Sequence, residues 1–208
     1  MGAHGDEALH DLSPAEARRR GQAALAGHVG DEEGARSLLR DKSPAVRAAA
    51  LGALVRMGGF TVELGEEAAA DPSPVVRRAL CELAPAIGRS ISAQYGRLLR
   101  DEDASVVEAA CFATGETGDP SVVSALVDIA GAHPDPLCRE SAVAALGSIG
   151  DPTGLPAILA ATTDRPAVRR RAVIALAPFD GPEVEDALDR ASGDRDWQVR
   201  QAAEDQRR

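Results

Sequence analysis

Aromatic side chains are nearly missing from this chain. One tryptophan, one tyrosine and three phenylalanines make up 2% of its 208 residues. Any core must be filled by Ala, Leu, Val and Ile, and a groove that stacks bases on rings has few rings to use. Ala is also the strongest helix former, and small side chains let helices pack closely. Positive charge is short as well: 23 Lys and Arg stand against 33 Asp and Glu, a net charge of -10. That argues against a nucleic-acid binder, which needs a basic stripe. It fits a soluble protein, or one that meets a basic partner. Arg18-Arg19-Arg20 and Arg169-Arg170-Arg171 are too short for a phosphate track and read as helix surface.

Cysteine is sparse too. Cys81, Cys111 and Cys138 form no C-x-x-C pair, and an odd count excludes a closed disulfide framework. They read as small core residues in a reducing cytoplasm. No apolar run approaches a membrane span. Met1 to Arg20 lacks the apolar stretch of a signal peptide, and Asp6 breaks the myristoylation pattern after Gly2. His4, His10, His28 and His133 show no metal-ligand spacing. There is no glycine-rich phosphate loop and no G-x-S-x-G elbow. No catalytic residue, metal or cofactor is expected.

What is present is a period. Val46-Arg47, Val76-Arg77, Val107-Glu108, Cys138-Arg139, Val168-Arg169 and Val199-Arg200 recur every 30 or 31 residues, which signals a stacked array. Three residues before each pair lie Ser43, Ser73, Ala104, Asp135, Arg165 and Asp196, mostly N-cap types. Proline follows in four of the six, at the first helical position. Gly58, Gly88, Gly118, Gly150 and Gly181 suit helix C-termini. Each unit is therefore two helices. The second carries apolar residues four, seven and ten places after the Arg column, as in Leu51, Leu54 and Met57, one stripe on one face. First helices are expected near 31–40, 61–70, 90–100, 120–131, 152–162 and 182–192. Second helices are expected near 44–57, 74–87, 105–117, 136–149, 166–179 and 197–206. Ser13-Pro14-Ala15-Glu16 is a capping box that starts an extra N-terminal helix.

The phrase Asp-x-Ser-Pro-x-Val-Arg, at Asp41 to Arg47 and Asp71 to Arg77, resembles the HEAT repeat. Gly-Ser-Ile-Gly-Asp-Pro at 147–152 is similar to the short HEAT-like variety found in phycobilin lyases. The resemblance spans residues 31–205 and implies an all-α, right-handed α-solenoid of about six helix pairs with an extra N-terminal helix. Residues 1–12 are expected to be disordered and 13–208 to form one repeat domain. Its units lie near 31–60, 61–89, 90–119, 120–151, 152–181 and 182–208. It also implies a ladder of Asp and Arg columns. Here those columns hold Asp41, Arg47, Asp71, Arg77, Arg139, Arg169 and Arg200. By the residues alone the arginines read as an anion-binding ladder or as bridges to Asp41, Asp71, Asp164 and Asp194. Because both partners recur together, the bridge is the stronger reading. HEAT-like deoxyhypusine hydroxylases need His-Glu pairs, absent here. HEAT-like alkylpurine glycosylases need a basic, aromatic groove, which this composition does not offer.

In such stacks the second helix lines the concave side. Residues one and five after the Arg column are then expected to face a groove, among them Arg78, Glu82, Glu140 and Arg170. In the middle unit the same rule gives Ala109 and Ala113, an alanine-lined hollow with Glu82, Glu108 and Glu140 around it. Residues 91–150 carry nine acids and three bases, an acidic midsection that would steer a basic segment. Arg171 adds to the basic run beside it, and Trp197 replaces a proline near the C-terminus, either sealing the last unit or offering a contact. The expected function is a cytoplasmic, non-enzymatic scaffold that presents this face to another protein, with no nucleic acid and no membrane. The alternative is a small-molecule or chromophore handler of lyase or isomerase type, with the three glutamates as acid/base groups.

Overall fold

The computed structural model describes residues 12–207. Of the segment expected to be disordered, residues 1–11 lie outside the described residues. All regular structure among the described residues is helical. The helices are α1 (Pro14–Val29), α2 (Glu32–Leu38), α3 (Pro44–Arg56), α4 (Val62–Ala69), α5 (Pro74–Glu82), α6 (Ala84–Ile87) and α7 (Ser92–Leu98). They continue as α8 (Ala104–Thr117), α9 (Val123–Ala132), α10 (Pro136–Ile149), α11 (Leu155–Ala161), α12 (Pro166–Ala175), α13 (Pro182–Ser192) and α14 (Trp197–Gln206).

Local chemistry accounts for most boundaries. Ser13 and Glu16 close the expected capping box: the Ser13 amide donates to Glu16 Oε2 at 3.0 Å and the Glu16 amide to Ser13 Oγ at 3.3 Å. Gly118 and Gly150 take φ of 59° and 69° and end α8 and α10, a conformation that costs glycine little. Two second helices differ from expectation, and proline is the cause in both. The helix expected over 74–87 breaks at Leu83 into α5 and α6, because Pro85 has no N–H to donate back into the preceding turn. The one expected over 166–179 ends at Ala175, shortly before Pro178. The first helices expected at 120 and 152 open instead with single 3₁₀ turns, Pro120–Val122 and Pro152–Gly154.

The chain divides into two compact units, Met1–Gln94 and Tyr95–Arg208. Each is a stack of helix pairs in chain order, an all-α, right-handed solenoid. In the first unit α1 packs on α3 and α3 on α5, with α2 and α4 beside them. In the second, α8, α10, α12 and α14 pack successively as one layer, and α9, α11 and α13 form the layer behind. Small residues set the spacing between α8, α10 and α12. A Cβ added to Gly147 on α10 would lie 2.7 Å from Ala175 Cα on α12, and one on Gly115 of α8 would lie 3.1 Å from Ala145 Cα on α10. Leu126, Leu146, Ile158 and Leu176 fill the space between layers. Tyr95 is fully buried there, its hydroxyl donating to the Ala113 carbonyl at 3.1 Å. Cys81, Cys111 and Cys138 are buried thiols, none of them in a disulfide. Burial, with smaller contributions from Asp135 and Glu108, pushes the Cys138 thiol up to about 12.

Candidate functional site

Second helices are entered through a shared turn. The Ser43, Ser73 and Asp196 amides each donate at 2.8 Å to Oδ1 of Asp41, Asp71 and Asp194, two residues earlier. Asp71, Asp194 and, at the entry to α12, Asp164 each take a guanidinium from the preceding second helix. Arg47 meets Asp71 through Nε at 2.8 Å and Nη2 at 2.7 Å. Arg139 meets Asp164 at 2.7 and 2.8 Å, and Arg169 meets Asp194 at 2.9 and 2.8 Å. Nη1 of each turns back to a carbonyl of its own turn: Arg47 to Asp41 at 2.8 Å, Arg169 to Asp164 at 2.9 Å. One arginine thus ties its own helix entry to the next one with the bidentate geometry that suits this pair. Arg77 and Arg200 make the same backward bond, to the Asp71 and Asp194 carbonyls at 2.8 and 2.7 Å. Arg19, which the sequence grouped with a surface run, binds Asp41 at 2.6 and 3.2 Å.

These contacts hold the carboxylates below their ordinary range. Hydrogen bonds from Arg19, Arg139 and Arg169 are the main cause at Asp41, Asp164 and Asp194. At Asp71 burial is the largest influence and pushes upward, but the Arg47 hydrogen bonds, the Ser73 amide and the charges of Arg47 and Arg77 together outweigh it.

Between α8 and α10 the rung is absent, and the reason corrects the alignment. Asp103, not Ala104, caps α8, taking the Ser105 amide at 2.9 Å. Asp135 caps α10 in the same way, taking the Leu137 amide at 2.8 Å. Counted from the cap, the residue in the arginine place is Val107, 1% exposed, and not Glu108. Opposite it in the pattern stands His133, whose Nδ1 accepts the Asp135 amide at 3.2 Å and so keeps the turn without a carboxylate. Both members of this ion pair are replaced together. Glu108 moves one place on, level with Glu140 and Arg170, and Gly115 becomes the equivalent of Gly147.

The same slip removes the alanine-lined hollow. Ala113 is fully buried and Ala109 is 7% exposed, so neither faces a groove. Phe112 points outward instead, 58% exposed. Sequence spacing missed it because the slipped alignment puts residue 112 in the apolar stripe. The N-cap was the usable signal: Asp103 is a better cap than Ala104.

The array now has its helix pairs, its shared turn and its arginine rungs. A family model described as HEAT repeats matches residues 61–147 and 91–167, together just over half of the chain. The chain belongs to the HEAT-repeat family. Among solved structures it is similar to the YIBA protein of Escherichia coli, at 20% identity and a TM-score of 0.62. That match covers 88% of this chain and 71% of that one. Human deoxyhypusine hydroxylase aligns at 21% identity over 94% of this chain and 79% of its own, with a TM-score of 0.47. A designed armadillo repeat protein aligns at 15% over 96% and 95%, with a TM-score of 0.40. No curated protein matches in sequence.

Within this HEAT array, the outward face of the second helices in the Tyr95–Arg208 unit gathers most of the expected interaction residues. Glu108 takes a hydrogen bond from Ser141 Oγ at 3.3 Å. Glu140 lies 3.5 Å from Arg171 Nη2 and 3.8 Å from Arg170 Nη2, and Arg170 reaches Gln198 Oε1 at 3.4 Å. Ile174 is 40% exposed and Trp197, which does not seal the last HEAT pair, is 65% exposed. In the Met1–Gln94 unit Arg78 Nε lies 2.9 Å from Glu82 Oε1 on the same helix, an ion pair without hydrogen-bond alignment. One cavity of about 50 Å³ sits at the Arg47–Asp71 rung, beside Leu51, Leu64 and Glu67, room for water rather than a cofactor. Among the described residues no cluster of His, Cys, Asp and Glu has metal-site geometry, and no helix is long and apolar enough to cross a membrane.

Proposed function

We propose that this HEAT-repeat chain is a protein–protein interaction scaffold that engages its partner on the outward face of α8, α10 and α12. One observation carries the reading: in a chain with five aromatic residues, Phe112 is spent on the surface, in register with the exposed Ile174 two helices away. Exposed aromatics of this kind anchor partners, and a stacked array offers a continuous surface with little chemistry. Glu108, Glu140, Arg170, Arg171 and Trp197 rim the same face. The short-repeat, phycobilin-lyase variety rests on the Gly-Ser-Ile-Gly-Asp-Pro phrase. Chromophore handling is not adopted, because the hollow it needs is closed at Ala113.

A photo-cross-linking residue at Ala144, on this face, should give a defined protein adduct in native lysate. The same residue at Asp128, exposed on α9, should give none, and Phe112→Ala should abolish the Ala144 adduct. Adducts from Asp128 alone, or none from either position, would remove the proposal.

A further inference from the structure

We infer that the face formed by α8, α10 and α12 accepts a basic amphipathic helix, laid across the three helices with its cationic end over α8. This rests on the interaction reading above and adds the chemistry of the partner.

Two parallel rows define the face. Phe112, Ala144 and Ile174 each stand nine residues after the cap of their helix, and Glu108, Glu140 and Arg170 stand five after it. Neighbouring helices lie about 8–10 Å apart, so each row runs roughly 16–20 Å. A helix rising 1.5 Å per residue covers that in about 11–13 residues, presenting an anchor every three or four. The apolar row supplies the contact for those anchors, with Phe112 the largest.

Charge along the face is uneven, and this selects the partner. On α12, Arg170 and Arg171 are shared with Glu140. On α8, Glu108 has a hydroxyl as its polar partner, Ser141 Oγ. Glu116 is exposed one turn beyond Phe112. Residues spaced by four share one helix face, so α8 presents a carboxylate, a ring and a carboxylate in line. Residues 95–135 carry eight acids and two bases. A partner that covers Phe112 must come close to both carboxylates. Lysine or arginine beside its apolar anchor meets them with opposite charge. An acidic helix would bring like charge against them, which costs affinity strongly in a closed interface.

The test uses two labelled peptides of about 14 residues with one leucine face, the polar face all lysine in one and all glutamate in the other. Fluorescence anisotropy with the full chain should show the lysine peptide binding at least ~10-fold more tightly. Phe112→Ala should weaken it by ~10-fold. Glu108→Gln with Glu116→Gln should weaken it several-fold and flatten its salt dependence. Glu185→Gln, on the other helix layer, should leave it unchanged. Phe112 is already open to solvent and the Glu→Gln changes are isosteric, so each variant should keep the wild-type circular dichroism spectrum. Equal binding of the two peptides, indifference to Phe112→Ala, or a chain dimer that occupies the face would overturn the inference. A photo-cross-linker at Ala144 separates this failure from that of the broader reading. Adducts there with the glutamate peptide sink only the basic helix, whereas no adduct with either peptide sinks both.

Discussion

At Gly147 a single hydrogen decides how closely two helices approach. An added Cβ would sit 2.7 Å from both Cα and Cβ of Ala175, closer than real Cβ atoms come. Helix propensity favours Ala over Gly by about 1 kcal/mol, but overpacking against backbone costs about 1–3 kcal/mol. Gly147→Ala should therefore lower stability by up to about 2 kcal/mol despite the better helix former. Gly131, in α9, has nothing within 4 Å of its added Cβ, so Gly131→Ala should raise stability by up to about 1 kcal/mol. Urea unfolding of both variants checks the opposite signs. Equal shifts in one direction would mean that the Gly147–Ala175 approach does not set the α10–α12 spacing.

Helices are joined by arginines that close on carboxylates, and those carboxylates should make the fold sensitive to acid. Asp41, Asp71, Asp164 and Asp194 are all held below their usual range. A group with a depressed folded value stabilises fully above its unfolded value, about 3.9 for aspartate, and that contribution is lost as pH falls through the folded value. The urea midpoint should hold steady from neutrality to about pH 4 and then fall. Asp164→Asn should cost about 1–3 kcal/mol at neutral pH, since Arg139 is left with a weaker partner. It should also make the acid decline shallower. A midpoint unmoved by acid, or a variant with the wild-type slope, would show that the rungs add nothing. The sequence made the two columns visible. It could not show that each arginine reaches forward to the next unit's aspartate while gripping its own turn, because that depends on how successive helices stack. It also misplaced the column in α8, where Val106-Val107-Glu108 offers two ways to read a Val-x pair and only the Asp103 cap settles the frame.

Across the molecule the rungs run through stacks in which each helix pair touches mainly its neighbours, so stability is close to a sum of local and nearest-neighbour contributions. The Val107–His133 position interrupts that series within the Tyr95–Arg208 unit. Val107→Arg alone adds a buried cation without a partner, and His133→Asp alone adds an uncompensated carboxylate, so each should destabilise. Together they should rebuild the bidentate pair, with a favourable coupling of about 1–3 kcal/mol in a double-mutant cycle. Additive losses would mean that α8 and α10 do not hold the spacing the other rungs share. From the sequence alone, the period, the caps, the prolines and the apolar stripe determined an all-α HEAT array, because these are local preferences repeated often enough to reinforce one another. Only the tertiary structure decided which side chains face outward. That choice turns on a one-residue frame in each helix, about 100° of rotation, and it put Phe112 on the surface and Ala113 in the core.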